Sequence, residues 1–142
     1  MIEEEITKII VESLYRSGWD ILSMDFPQSG TGLRIPVSTN SHGNYNYVIP
    51  DVLAISDSRF LVLENKSFFE SDDLVKIQLM KSSSLFKARI NTFFKTKKDH
   101  EFLFGIGLPA NIVSPEVKRQ ASLARVDCVI QVGNSALISW QI

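Results

Sequence analysis

Asp51, Glu64 and Lys66 are the residues of this chain whose types and spacing could carry chemistry. Pro50-Asp51 precedes the apolar run 52–55, and Glu64-Asn65-Lys66 follows the apolar run 60–63. The polar break Ser56-Asp57-Ser58-Arg59 between the runs predicts two short strands joined by a tight turn. The strand period of two then puts Glu64 and Lys66 on one face. Two carboxylates and a lysine converging at the ends of neighbouring strands are the parts of a divalent-metal hydrolytic site. A hard cation such as Mg²⁺ prefers oxygen ligands, takes one or two carboxylates, and leaves other positions for water and substrate. Asp51 and Glu64 are therefore the candidate metal ligands, and the backbone carbonyl of Asn65 could add another. Lys66 would orient the nucleophile and offset charge as it develops. Two metal-binding carboxylates nearby favour the charged lysine, so electrostatic support is expected of it rather than general-base catalysis.

The elements that must position these groups follow from periodicity. Ile2, Ile6, Ile9, Ile10, Ser13 and Leu14 share one face of a helix over 2–17, with Gly18 as its stop. Of its acids, Glu3 lies nearest the apolar face, about 60° from its centre. Residues 19–26 predict a first strand. The stretch 28–47, rich in Ser, Gly, Thr and Asn, reads as loop or hairpin rather than core. His42 and Tyr45 within it are candidate substrate contacts, set against a plain exposed loop. Ser71-Asp72-Asp73 reads as a helix-opening cluster able to cap free backbone N–H groups. Val75, Leu79, Phe86, Ile90 and Phe93 form a helical stripe over 72–95, which Ser82-Ser83-Ser84 could soften or break. His100 reads as a surface residue. A buried strand over 102–108 ends at Pro109. A helix over 115–124 is capped by Ser114 with Pro115 at its first position. Two closing strands, 126–132 and 136–140, flank Gly133-Asn134.

The 142 residues fit one domain, and 44% hydrophobic with 22% charged residues describes a soluble globular protein. No apolar run approaches the roughly 18 residues that span a bilayer, so no membrane partner is expected. The acidic opening Met1-Ile2-Glu3-Glu4-Glu5 resembles neither a signal nor a transit peptide, and a cytoplasmic setting follows by default. The single cysteine, Cys128, excludes a disulfide framework and reads as a small buried hydrophobe. The net charge of −1 hides an asymmetry. Residues 1–64 carry four Lys/Arg and nine Asp/Glu, whereas 65–98 carry eight Lys/Arg against Glu70, Asp72 and Asp73. Cations beside carboxylates are the polarity a nuclease needs, and Lys76, Lys87, Lys95, Lys97 and Lys98 are the candidate DNA contacts, set against a solvated helix and turn with scattered lysines. Phosphodiester cleavage needs an activated water, in-line attack and charge stabilisation, most of which one or two Mg²⁺ ions supply.

Pro-Asp, twelve residues, then Glu-x-Lys is the spacing of the PD-(D/E)xK nuclease superfamily, which the chain resembles. The stretch Glu64-Asn65-Lys66-Ser67-Phe68-Phe69-Glu70-Ser71-Asp72-Asp73-Leu74-Val75-Lys76 is similar to the corresponding part of the phage endonuclease I family, which resolves four-way DNA junctions. That family has Glu-x-Lys-Gly, an aromatic, and a Glu-Ser-Asp-Asp run entering a basic helix. Ile35-Pro36 through Asn46-Tyr47 to Pro50-Asp51 also resembles its approach to the active-site aspartate, so the likeness spans about residues 33–80. Ser67 stands where the family favours glycine, Leu74-Val75 replaces a more basic pair, and the chain beyond 109 lacks a strongly basic finish. Similar patterns occur in the transposon-end nuclease TnsA and in restriction enzymes.

The resemblance implies an α/β fold with a restriction-endonuclease-like core, a central mixed β-sheet flanked by α-helices. It implies that Asp51 and Glu64 bind Mg²⁺, with Mn²⁺ able to substitute, that Lys66 is the catalytic lysine, and that Glu3 stands for the family's first-helix glutamate. The expected activity is a Mg²⁺-dependent endodeoxyribonuclease, structure-specific on branched DNA and acting as a homodimer. The alternatives are a restriction-type enzyme or the cleavage subunit of a larger DNA-processing complex, and, in another class, an inert DNA-binding module.

Overall fold

The computed structural model describes residues 1–26, 30–97, 99–133 and 136–139. Helix α1 (Glu3–Arg16) opens the chain, and Ile6, Ile10 and Leu14, spaced by four, form its fully buried stripe. It stops where Gly18 takes φ +92°, a left-handed conformation glycine adopts without a steric penalty. Gly18 N–H donates to the Tyr15 carbonyl at 3.2 Å and Trp19 N–H to that of Leu14 at 3.0 Å, which satisfies the last carbonyls of the helix. Trp19 is thereby folded back into the same apolar cluster as Leu14.

The strands among the described residues are β1 (Asp20–Met24), β2 (Ile35–Thr39), β3 (Tyr45–Val48), β4 (Val52–Ser56), β5 (Arg59–Asn65), β6 (Glu101–Pro109), β7 (Cys128–Val132) and β8 (Ala136–Ser139). Six of them form a mixed sheet in the order β1-β4-β5-β6-β7-β8. β4 and β5 are the expected hairpin: Ser56 pairs with Arg59 across the two-residue turn Asp57-Ser58, where Asp57 takes φ +53°. β5, β6 and β7 run parallel, while β1 and β8 are antiparallel edges. Parallel neighbours need crossovers. Helices α2 (Asp73–Ser82) and α3 (Ser84–Phe93) connect β5 to β6, and α4 (Pro115–Leu123) connects β6 to β7.

Alternation along the strands sends side chains to two cores. On one face Leu61, Leu63, Cys128 and Ile130 meet the α1 stripe. On the other, Phe60, Val62, Phe104 and Ile106 meet Ile77, Phe86 and Val117 of α2, α3 and α4. The molecule is thus an α/β protein whose mixed sheet is flanked by helices on both sides. Ser114 caps α4, accepting from Val117 N–H at 3.2 Å, and Pro115 is its first residue, as the sequence predicts. Cys128 is buried in β7, and desolvation pushes its thiol up to about 12. No helix among the described residues is long and apolar enough to cross a membrane.

Three expectations are corrected. The helix predicted over 72–95 is two helices, broken at Ser83. Ser83 is extended; its Oγ accepts from Phe86 N–H at 3.0 Å and donates to the Val37 carbonyl at 2.6 Å, which caps α3 and ties it to β2. The break resets the helical phase. Leu74, Ile77 and Met80 are the buried residues of α2, and Val75, Leu79 and Phe93 of the predicted stripe face solvent, leaving only Phe86 and Ile90 in the core. Second, the segment predicted as loop or hairpin rather than core contains a β2–β3 ribbon whose Ile35 and Val37 are buried against α3. Third, Asp72 makes no capping side-chain bond; Asp73 Oδ2 instead accepts from Glu70 N–H at 2.8 Å. His100 is half-buried, with its ring 5.5 Å from that of Phe60. Gln28, Asn134 and Trp140 lie outside the described residues.

Gly107 is a glycine the packing requires. A Cβ there would run into Asn65 Oδ1 and lie 2.5 Å from Ile10 Cδ1. Gly107→Ala should therefore force β6 away from α1 and cost about 1–3 kcal/mol. Urea unfolding should show a lower midpoint at unchanged slope.

Candidate active site

Pro50 has no N–H to extend the β4 ladder, and the strand begins only at Val52. The register Val52↔Leu63, continued by one residue, sets Asp51 beside Glu64. Asp51 replaces the missing ladder with its side chain: Oδ2 accepts the Asn65 N–H at 2.7 Å, while its own N–H donates to the Leu63 carbonyl at 3.0 Å. Burial raises the Asp51 carboxyl above the usual range, against the lowering effect of the Asn65 N–H; Glu3 and Asp25 also raise it.

Glu64, only 3% exposed, points toward the α2 layer. Lys76 Nζ stands 2.9 Å from its Oε1 and also donates to the Ile49 carbonyl at 3.2 Å. This contact sets the ammonium against the buried oxygen and eases its ionisation. Desolvation first, and the negative charge of Asp51 second, push the Glu64 carboxyl up to about 8 despite Lys76.

Asn65 faces the opposite layer. Its Nδ2 donates to Thr7 Oγ1 of α1 at 2.9 Å. Glu3 lies four residues before Thr7, hence one turn earlier on the same face of α1. Lys66 follows the end of β5, its N–H bonded to the Gly107 carbonyl at 2.9 Å. Its Nζ lies 3.9 Å from both Glu3 Oε1 and Asp73 Oδ1, residues in the first turns of α1 and α2. The fold therefore gathers Glu3, Asp51, Glu64 and Lys66 in one place, and the Asn65 carbonyl ends β5 between Glu64 and Lys66.

The basic residues divide. Lys76, read from sequence as a DNA contact, turns into the carboxylates. Lys87 lies 5.9 Å from the Phe104 ring centroid and, with Lys95, lines a surface groove of about 610 Å³ on α3. Lys95 and Lys97 are exposed on the approach to the start of β6. That is the Phe60 end of β5, roughly 13 Å along the strand from Glu64. These lysines do not join the carboxylates, and Lys98 lies outside the described residues. His42 and Tyr45 are exposed on the β2–β3 ribbon. Sequence reasoning missed Asp73 as a partner of Lys66 and Asp25 as a neighbour of Asp51, whose N–H donates to the Asp51 carbonyl at 2.9 Å. Neither has a local signature, because each pairing joins distant elements.

The donor set fits a hard divalent cation. Two carboxylates raised by burial and adverse charge present oxygen ligands that a cation would stabilise in ionised form, with Lys76 now standing against one of them. Among the described residues no three His, Cys, Asp or Glu come together in a group that could hold a metal ion, so the carboxylates on offer are the Asp51–Glu64 pair. Mg²⁺ does not require a complete protein cage, since water and substrate oxygens ordinarily fill its remaining positions.

The raised Glu64 carboxyl makes stability depend on pH. Between 4.5 and about 8 the folded chain keeps a proton that the unfolded chain has released. Stability therefore falls as pH rises through that window and levels off above it. In EDTA the protein should lose on the order of a few kcal/mol between pH 5 and pH 8.5. Glu64→Gln, which mimics the protonated acid, should flatten most of the slope in urea titrations at the two pH values. No family model and no curated protein matches this chain.

Proposed function

We propose that this chain is a Mg²⁺-dependent DNA endonuclease on a restriction-endonuclease-like core. The observation that carries the reading is the meeting of Asp51, Glu64, Lys66 and Glu3 at the joined ends of β4 and β5, beside the first turns of α1 and α2. Asp51 and Glu64 would hold the ion, with the Asn65 carbonyl as a further oxygen donor, while Glu3 stands against Lys66. Mg²⁺, for which Mn²⁺ could substitute, supplies charge to polarise the phosphate and activate water. The Lys66 ammonium, tethered between two carboxylates, offsets charge developing on the phosphate. The N-termini of α1 and α2 add positive dipole ends on the same side. Lys76 stands against Glu64 when no divalent ion is bound, and its long, partly exposed stem lets it turn to a DNA phosphate once the carboxylates are engaged.

The substrate reading is branched DNA cut by a homodimer, with a restriction-type enzyme or a cleavage subunit of a larger complex as the competing assignments within the class. The test is cleavage of plasmid and of synthetic four-way junctions in Mg²⁺ by wild type, Asp51→Ala and Lys66→Ala. Each substitution should cost at least about 100-fold in rate. Cutting that follows branch position selects the junction substrate, and cutting that follows sequence selects the restriction type. No metal-dependent cleavage by the purified protein, alone or with candidate partners, overturns the enzyme reading and leaves the DNA-binding module.

A further inference from the structure

We propose that the β2–β3 ribbon and the outer face of α3 form a stacking platform for unpaired DNA bases beside the cleavage site. The inference rests on the nuclease reading and names the feature of its substrate that this chain would recognise.

Tyr45 and Tyr47 are two residues apart on β3 and so share a face. Their rings meet edge-on at 6.1 Å, and they are 41% and 43% exposed. The Arg34 guanidinium lies 4.1 Å over the Tyr47 ring, and that of Arg89 on α3 lies 5.4 Å from the Tyr45 ring. Phe93, 60% exposed, stands one helical turn beyond Arg89, and a cleft of about 110 Å³ between Leu33, Arg34, Arg89 and Phe93 joins the ribbon to the helix. Among the described residues neither guanidinium is in an ion pair. Both rest on aromatic faces.

Charge selects the occupant. No Asp or Glu occurs between Asp25 and Asp51, or between Asp73 and Asp99. The two segments that build this surface therefore carry cations without a single carboxylate, in a chain whose net charge is −1. Exposed aromatic rings interleaved with arginine are what single-stranded nucleic acid binds, because every base offers a π-face and the phosphates follow the cations. Paired bases are already stacked on their neighbours, so the rings gain most from nucleotides that have left the helix. Location agrees: Tyr47 is four residues from Asp51, at most about 13 Å along extended chain. With roughly 3.4 Å per stacked nucleotide, that is within about four nucleotides of the candidate catalytic carboxylates. The substrate class is DNA with unpaired nucleotides next to the cut, as in a fork, a flap or an open junction centre.

The test is fluorescence anisotropy in EDTA, where no cutting intervenes, with labelled oligothymidylate of about 12 nucleotides and a duplex of the same length. Wild type should bind the single strand more tightly than the duplex. The Tyr45→Ala, Tyr47→Ala double variant should lose roughly 10- to 100-fold in single-strand affinity and little for duplex. The Tyr45→Phe, Tyr47→Phe pair keeps the rings and should bind as wild type, which separates stacking from any loss of ribbon structure. Unchanged single-strand affinity in the alanine variant, a wild-type preference for duplex, or no binding of the single strand overturns the platform. Single-strand binding that needs the two rings, in a protein that cuts no DNA, keeps the platform and removes the nuclease. Cleavage by a protein whose binding ignores the rings does the reverse.

Discussion

Asn65 makes the set of hydrogen bonds on which the arrangement of the site depends. Its main-chain N–H is taken by Asp51 Oδ2, its side-chain amide reaches Thr7 on α1, and Gly107 beside it leaves room by having no side chain. One residue thus fixes the end of β4, the end of β5 and the roll of α1. Its Oδ1 is buried without a partner among the described residues. An unmet buried acceptor costs about 1–3 kcal/mol. That cost is tolerable because the other bonds set the angle at which α1 presents Glu3, one turn before Thr7, to Lys66.

The electrostatics run against stability. A sheet end that buries Glu64 beside Asp51 would set like charges in a medium that screens them poorly, and Glu64 therefore holds its proton up to about 8. An apolar pair would suit the fold better. Lys76 relieves the strain in part, and Lys66 does the same for Glu3 and Asp73 at longer range. Acids and bases alternate around the site in space, yet they come from α1, β4, β5 and α2. Such a pattern adds little to packing, and it is the support on which the proposed nuclease reading stands.

The strand pair was legible because Pro50, the two apolar runs and the polar turn all favour the same pairing, so local and tertiary preferences agree. Of the four N-terminal glutamates, Glu3 lies nearest the apolar face, and α1 places it 3.9 Å from Lys66. Reading failed where two answers were locally equal. Val75 and Leu79 repeat at helical spacing as well as Leu74, Ile77 and Met80 do, and the phase is decided only by where Ser83 breaks the helix. Ile35 and Val37 sit among Pro, Ser, Thr and Asn, and their burial depends on α3 folding over them. Lys76 read as a DNA contact because its partner, Glu64, is twelve positions away and on another element.

The antiparallel pairing of β4 with β5 has a consequence for how such sites can be found in other sequences. Asp51 and Glu64 meet at the open end of a hairpin whose closed end, Asp57-Ser58, lies in solvent. Adding one residue to each strand near the turn would move both carboxylates outward together and keep them opposite. Adding a single residue to one strand would slip the register and turn one of them to the wrong face. What geometry constrains is therefore the parity of the interval between the two acids, not its length. A search pattern that insists on twelve intervening residues is narrower than the physics, and one that ignores odd and even is too broad.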